Sequence, residues 1–112
     1  MNGRFEAYEV ALAMVSALRP AVAALVRQDK DLADQIRRAA SSVVLNLAEG
    51  ARRRGRDRLH FYRIAAGSAA DVKAALEVGK AWGCLDAKPL ADVEALLDRV
   101  LAMLWRLTHG TG

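Results

Sequence analysis

Four stretches of this sequence repeat apolar residues every three to four positions, with short polar or glycine-bearing breaks between them. That spacing is the period of an α-helix. Composition agrees with it. Hydrophobic residues make up 54% of the chain and aromatics only 5%, and much of the apolar content is alanine. Strands favour β-branched and aromatic side chains, whereas alanine is the best helix former. The chain of 112 residues suits one domain. Folding at this size buries roughly two-thirds of the unfolded surface, enough for one core without staples.

The first stretch carries Phe5, Tyr8, Leu12, Val15, Val22 and Val26 on one face, with Ala11 and Leu18 beside them. Pro20 inside it lacks an N–H and clashes with the carbonyl of Ser16, which predicts a kink or a break near Arg19. "RQDKD" then reads as a polar turn. The second stretch starts near Asp31 and carries Leu32, Ile36, Ala40, Val43, Leu47 and Ala51. It ends in an arginine run before Gly55, which suits a helix C′ position. Basic residues there complement the negative end of the helix dipole.

The third stretch has Asp57 as its expected N-cap and Phe61, Ala65, Ser68, Val72, Leu76 and Gly79 as its face, widened by Ile64, Ala75, Val78 and Trp82. Gly67 costs a helix about 1 kcal/mol relative to alanine, so a packing reason is expected for it. "WGCLDAKP" is the next turn, and Pro89 suits the first position of the fourth helix. The face of that helix is Leu90, Val93, Leu97, Val100, Leu101, Leu104 and Leu107, with Trp105 at its edge, and "THGTG" frays. Short connections between helices of this length make neighbours antiparallel, so the expected architecture is an all-α, up-down-up-down four-helix bundle.

The formal net charge of +4 is unevenly spread. From Arg37 to Arg63 there are eight arginines and two acids, Glu49 and Asp57, a balance of +6; the rest of the chain therefore sums to −2. Cys84 is the one cysteine, which excludes an intrachain disulfide framework and points to a reducing, cytosolic home. The N-terminus shows no basic region followed by an apolar signal core, and no run of 18 apolar residues occurs, so no membrane span is expected. His60 and His109 have no partners at metal-ligand spacing. No Walker loop, dinucleotide fingerprint or di-iron Glu-x-x-His set is present. The expectation is a protein that is not an enzyme and carries no cofactor.

The second helix has a second face. Opposite its apolar stripe lie Asp34, Arg38, Ser42, Leu45, Glu49 and Arg52. Asp34 with Arg38 and Glu49 with Arg53 are i,i+4 pairs worth about 0.2–0.5 kcal/mol each. That describes a solvated, ion-paired face. Leu45, the serines and the small residues of "AAGSAA" describe instead a face on which copies of the bundle associate.

"DQIRRAASSVVLNLAEGARR" followed by "IAAGSAADV" resembles the signature of a bacterial four-helix bundle protein family. That family was first noticed as reading frames in intervening sequences of large-subunit ribosomal RNA. It also includes accessory variability determinants of diversity-generating retroelements. The match falls on Gln35, Arg37, Arg38, Ala39, Ser42, Asn46, Ala48, Glu49, Gly50, Gly67 and Ser68. Val44 stands where the family often has proline, and Asp71 where it often has glutamate. The resemblance implies a ring-like homopentamer with a positively charged surface suited to RNA or DNA. It also implies, for the retroelement branch, a reverse transcriptase as partner.

The candidate nucleic-acid contacts are Arg37, Arg38, Arg52, Arg53, Arg54, Arg56, Arg58 and Arg63. Arginine's planar fork matches phosphate oxygens, and each phosphate neutralised releases counterions. The alternative is a helix cap followed by a solubilising loop. Gln35, Ser42, Asn46, Glu49, Gly50, Gly67 and Ser68 read as structural or oligomer residues rather than catalytic ones, because polar groups between packed helices usually satisfy one another. Three readings stand: an oligomeric protein binding nucleic acid by charge, an adaptor for a protein such as a reverse transcriptase, and a structural oligomer without ligand.

Overall fold

The computed structural model describes residues 3–110. Four helices run in sequence: α1 (Gly3–Leu25), α2 (Lys30–Ala51), α3 (Gly55–Ala81) and α4 (Ala91–His109), the last preceded by a 3₁₀ turn over Lys88–Leu90. There is no strand among the described residues. Each helix packs on its two neighbours, α1 on α2 and α4, α3 on α2 and α4, and α2 with α3 is the most extensive pair. The bundle measures 43 × 22 × 19 Å. Its long axis matches a 27-residue α3, about 40 Å at 1.5 Å per residue.

Local chemistry sets the ends. The Asp29 side chain accepts a hydrogen bond from the Leu32 N–H at 3.0 Å and caps α2. At the far end of α3, Gly83 takes a left-handed φ of +76°. Its N–H reaches the Lys80 carbonyl, while the Cys84 and Leu85 N–H groups both reach that of Gly79. Carbonyls orphaned by the helix end are satisfied in this way. Pro89 lies in the 3₁₀ turn, so α4 proper begins at Ala91.

Tyr62, Met14, Ile36, Leu47, Leu76, Leu97 and Leu104 are among the largest fully buried side chains. Burying a large apolar side chain stabilises by about 1.5–3 kcal/mol. The expected faces of α2 and α4 form most of the core, except that Ala51 is exposed, Leu101 and Leu107 are only partly buried, and Ala33, Val44 and Met103 are buried in addition. α1 differs. Its buried side is Ala7, Val10, Ala11, Met14, Leu18 and Leu25, while Phe5, Leu12 and Val26 are exposed. The helix is apolar nearly all round, so size does not orient it; Ala7 and Ala11 face inward and bring its backbone close to the core, while Ala13, Ala23 and Ala24 are exposed. No break occurs at Pro20, which sits on the exposed side of a helix that continues to Leu25.

The composition of α1 bears on one expectation, and the geometry of α3 corrects others. Phe5–Leu25 is long and apolar enough by length and composition to cross a membrane, at mean hydropathy 1.4, and 28% of its most apolar window is buried in the bundle. A search for unbroken apolar runs misses this, because isolated charges interrupt the run without lowering its mean. Asp57 does not cap α3; the helix starts two residues earlier, and Asp57 lies in its first turn. Ile64, Val78 and Trp82 are exposed, and Tyr62 takes the core place expected of Phe61. A Cβ on Gly67 would meet nothing within 4 Å, so no packing inside the bundle requires this glycine. Of "THGTG", Thr108 and His109 are helical and residues 111 and 112 lie outside the described residues.

Candidate nucleic-acid interface

The α2–α3 junction is a tight reversal. α2 closes through the Arg52 N–H on the Glu49 carbonyl and the Arg53 N–H on that of Gly50, each 3.1 Å. Arg54 is extended and Gly55 then takes a φ of +57°, which only glycine adopts freely. Gly55 is thus the first residue of α3, not the C′ residue of α2. The arginines follow α2 rather than filling its last turn.

These side chains do not share one fate. Glu49 accepts from Arg53 Nε at 2.8 Å and also from Arg52. The bonds from Arg53 and then Arg52 hold its carboxyl below the usual glutamate range. The Arg53 guanidinium also lies 5.1 Å from the centre of the Phe61 ring, a cation–π distance. Arg58 is half-buried and donates from Nε to the Gly50 carbonyl at 3.2 Å. Arg54, Arg56 and Arg63 are exposed. Arg56 and Arg63 are seven residues apart and so share one face of α3.

Arg37 and Arg38 do not join this group. They stand on α2 about 20 Å from Arg52 at 1.5 Å per residue. Arg37 lines a groove between α1 and α2 with Arg19, and Arg38 lines one between α2 and α3 with Gln35 and Asp71. The expected pair Asp34–Arg38 is replaced by Lys30–Asp34 at 3.1 Å, which lowers the Asp34 pKa.

The antiparallel arrangement sorts charge by end. Divide the bundle across its middle, after Met14, Ala40, Ser68 and Arg99. By sequence, the half with the α2–α3 junction holds eight basic and four acidic residues; the other half holds nine of each. The whole net charge of +4 therefore belongs to the junction half. All eight of its basic residues are arginines, and all four lysines of the chain fall in the neutral half.

The signature residues sit mainly on the α2–α3 seam. Ser42 and Ser68 hydroxyls are 2.7 Å apart, and Asn46 Nδ2 donates to the Ser42 carbonyl at 2.8 Å and to its hydroxyl at 3.0 Å. This chain of three polar groups satisfies itself across two helices. Gln35 is exposed, apart from it. Gly50 is buried, and a Cβ there would lie 2.5 Å from the Tyr62 ring, so α2 approaches α3 as closely as it does because the position has no side chain.

The family model for the 23S rRNA-intervening sequence protein matches residues 4–106. The chain belongs to that family. A crystal structure of a protein of unknown function from the S23 ribosomal protein family of Bacteroides thetaiotaomicron has the same fold, with a TM-score of 0.83. It is 17% identical, and the likeness covers 92% of this chain and 98% of that one. No functionally curated protein matches the chain.

In this member of the family, the junction presents guanidinium forks to solvent on a reversal fixed by Gly55 and Glu49. That arrangement suits phosphate oxygens, which arginine binds in bidentate fashion. Two features were not legible as site elements. Tyr62 hides beside the more obvious Phe61. Trp105 stacks on His109, with ring centres 4.6 Å apart and planes 11° from parallel; the i,i+4 spacing of two rings was its signal. His60 is exposed with its ring edge-on to Phe61, and Cys84 is a half-buried free thiol. Among the described residues no group of three His, Cys, Asp or Glu could hold a metal.

Proposed function

We propose that this protein is a non-enzymatic, self-associating helical bundle that binds nucleic acid electrostatically through its arginine end. The observation that carries the reading is the sorting of charge: the entire net positive charge lies in the half that holds Arg52, Arg53, Arg54, Arg56, Arg58 and Arg63. A polyanion is the ligand that such a field concentrates. Arg54, Arg56 and Arg63 are its first contacts, since Arg52, Arg53 and Arg58 are partly engaged by Glu49 and the Gly50 carbonyl.

Exposed Phe5, Leu12 and Leu45 support self-association, because apolar side chains left on a surface are the ones a second copy covers. A ring-like homopentamer of a 12.1 kDa chain has a mass near 60 kDa, about five times the monomer, and a head-to-tail interface generates such a ring when its rotation closes. Light scattering on purified protein distinguishes it from a monomer.

The functional test is binding of labelled structured RNA and duplex DNA across a salt series. The reading predicts that log K falls linearly with log salt, with a slope near −0.9 for each duplex phosphate contacted. Absence of binding even at about 50 mM salt, where phosphate contacts are strongest, would return the arginines to the role of helix end and solubilising loop.

A further inference from the structure

We infer that the Trp105–His109 stack is a base-stacking platform, so that the arginine end takes single-stranded nucleic acid in preference to duplex. This rests on the proposed nucleic-acid function and names its ligand class. Trp105 is 61% exposed. Its indole and the His109 imidazole lie nearly parallel, so the rings form a stack already ordered before any ligand arrives. His109 Nδ1 lies 3.0 Å from both the Trp105 carbonyl and the Thr108 hydroxyl, and that hydroxyl in turn donates to the Leu104 carbonyl at 2.8 Å. The imidazole is therefore fixed on the last turn of α4 rather than free to swing.

Position decides what this platform serves. In an antiparallel bundle the C-terminus of α4 and the α2–α3 junction share one end. The pairs Lys80–Glu94 at 2.8 Å and Lys73–Asp98 at 3.9 Å set the register of α3 against α4. Carried along both helices, that register brings His109 level with the turn of α3 that includes exposed Arg63. Arg56 stands one heptad farther on, about 10 Å along the helix. Arg106, on α4 itself, is exposed beside the stack. Guanidiniums and the aromatic stack thus share the basic end of the bundle, with Arg56 and Arg63 about a quarter turn around α3 from the Lys73–Lys80 line that meets α4. A paired base hides its faces within the helical stack, whereas an unpaired base offers one to an aromatic ring. The other exposed tryptophan, Trp82, lies in the neutral half, away from the arginine excess, and can be replaced without touching the basic end.

The test uses the full chain carrying Trp82→Phe, so that Trp105 is its one tryptophan. An oligouridylate, its deoxythymidylate counterpart and an RNA duplex of equal length are titrated at fixed salt. The expected result is saturable quenching of Trp105 fluorescence by the single strands. Trp105→Ala should lower single-strand affinity by about 5- to 150-fold, the measured range for loss of one stacked base, and leave duplex affinity unchanged. His109→Ala should lower it by less. Equal quenching by RNA and DNA strands assigns the platform to bases as such; RNA alone adds the ribose as a requirement. If both nucleic acids bind with the same salt dependence in Trp105→Ala as in its parent, and no quenching appears, the platform is overturned while charge-driven binding stands. If neither nucleic acid binds, the proposed function falls and the platform with it.

Discussion

The two ends of this bundle handle charge in opposite ways. In the neutral half, acids and bases are used on the protein itself. Asp29 caps α2, Lys30 pairs with Asp34, and Lys80 and Lys73 bridge α3 to Glu94 and Asp98 of α4. In the arginine half, four acids face eight arginines, and Glu49 alone holds two of them. Lysine, a compact point charge on a flexible stem, suffices to tie one helix to another. Arginine's rigid fork is the better match to a phosphate. Charge is thus structural at one end and in excess at the other, and excess charge is what a partner neutralises.

That contrast can be broken experimentally, most severely at its basic end. Reversing Arg54, Arg56 and Arg63 to Glu should abolish nucleic-acid binding at physiological salt. The milder alanine changes should cut the salt slope by about 1 for each phosphate contact removed. Lys30→Ala with Lys73→Ala, at the other end, should leave the slope unaltered, and a loss there would erase the distinction between the ends.

Next in size is Gly50→Val, which forces atoms into the buried Tyr62 ring beneath the arginine junction. Overpacking of this kind costs about 1–3 kcal/mol, read as a lower denaturant midpoint. At the other end a Cβ on Gly79 would meet the tip of the Leu85 side chain, so Gly79→Ala should cost less than Gly50→Ala. Gly67 lies open, and Gly67→Ala should stabilise the isolated bundle by up to about 1 kcal/mol through helix propensity. Stabilisation of the fold together with loss of the oligomer would place Gly67 in a contact between copies.

Smaller again is Lys80→Ala, which removes the partly buried pair with Glu94 and should cost about 0.2–1 kcal/mol. The least effect concerns pH. Glu49 has its pKa depressed in the fold by Arg53 and Arg52, so its contribution is fully present above the ordinary glutamate range and is lost as pH falls through its lower folded value. Carboxyl titration followed by NMR should show Glu49 protonating below the ordinary range and moving back toward it in Arg53→Ala.

Helix number and the faces of α2 and α4 were legible because charged residues mark their outer sides: Leu32, Ile36, Val43 and Leu47 on one, Val93, Leu97, Val100 and Leu104 on the other. α1 was legible as a helix but not in its rotation. With few charges to orient it, period alone selects bulky Phe5 and Leu12, while the fold prefers the close approach that Ala7 and Ala11 allow. The arginine excess was visible as composition. Its division was not, because which arginines are engaged depends on where Gly55 turns the chain and on Glu49 reaching two guanidiniums at once. The distance of Arg37 and Arg38 from the junction follows from helix rise and was within reach of the sequence. Gly67 misled, since a glycine in a helix reads alike whether it faces a neighbour or open space.

The most direct test of the account is amide hydrogen exchange on the full protein with and without a bound RNA oligomer. The account predicts slowed exchange at the arginine end, in segments spanning residues 50–66 and 103–109, and little change at residues 26–34 and 80–92. Protection confined to those latter segments, or spread evenly over both ends, would contradict it.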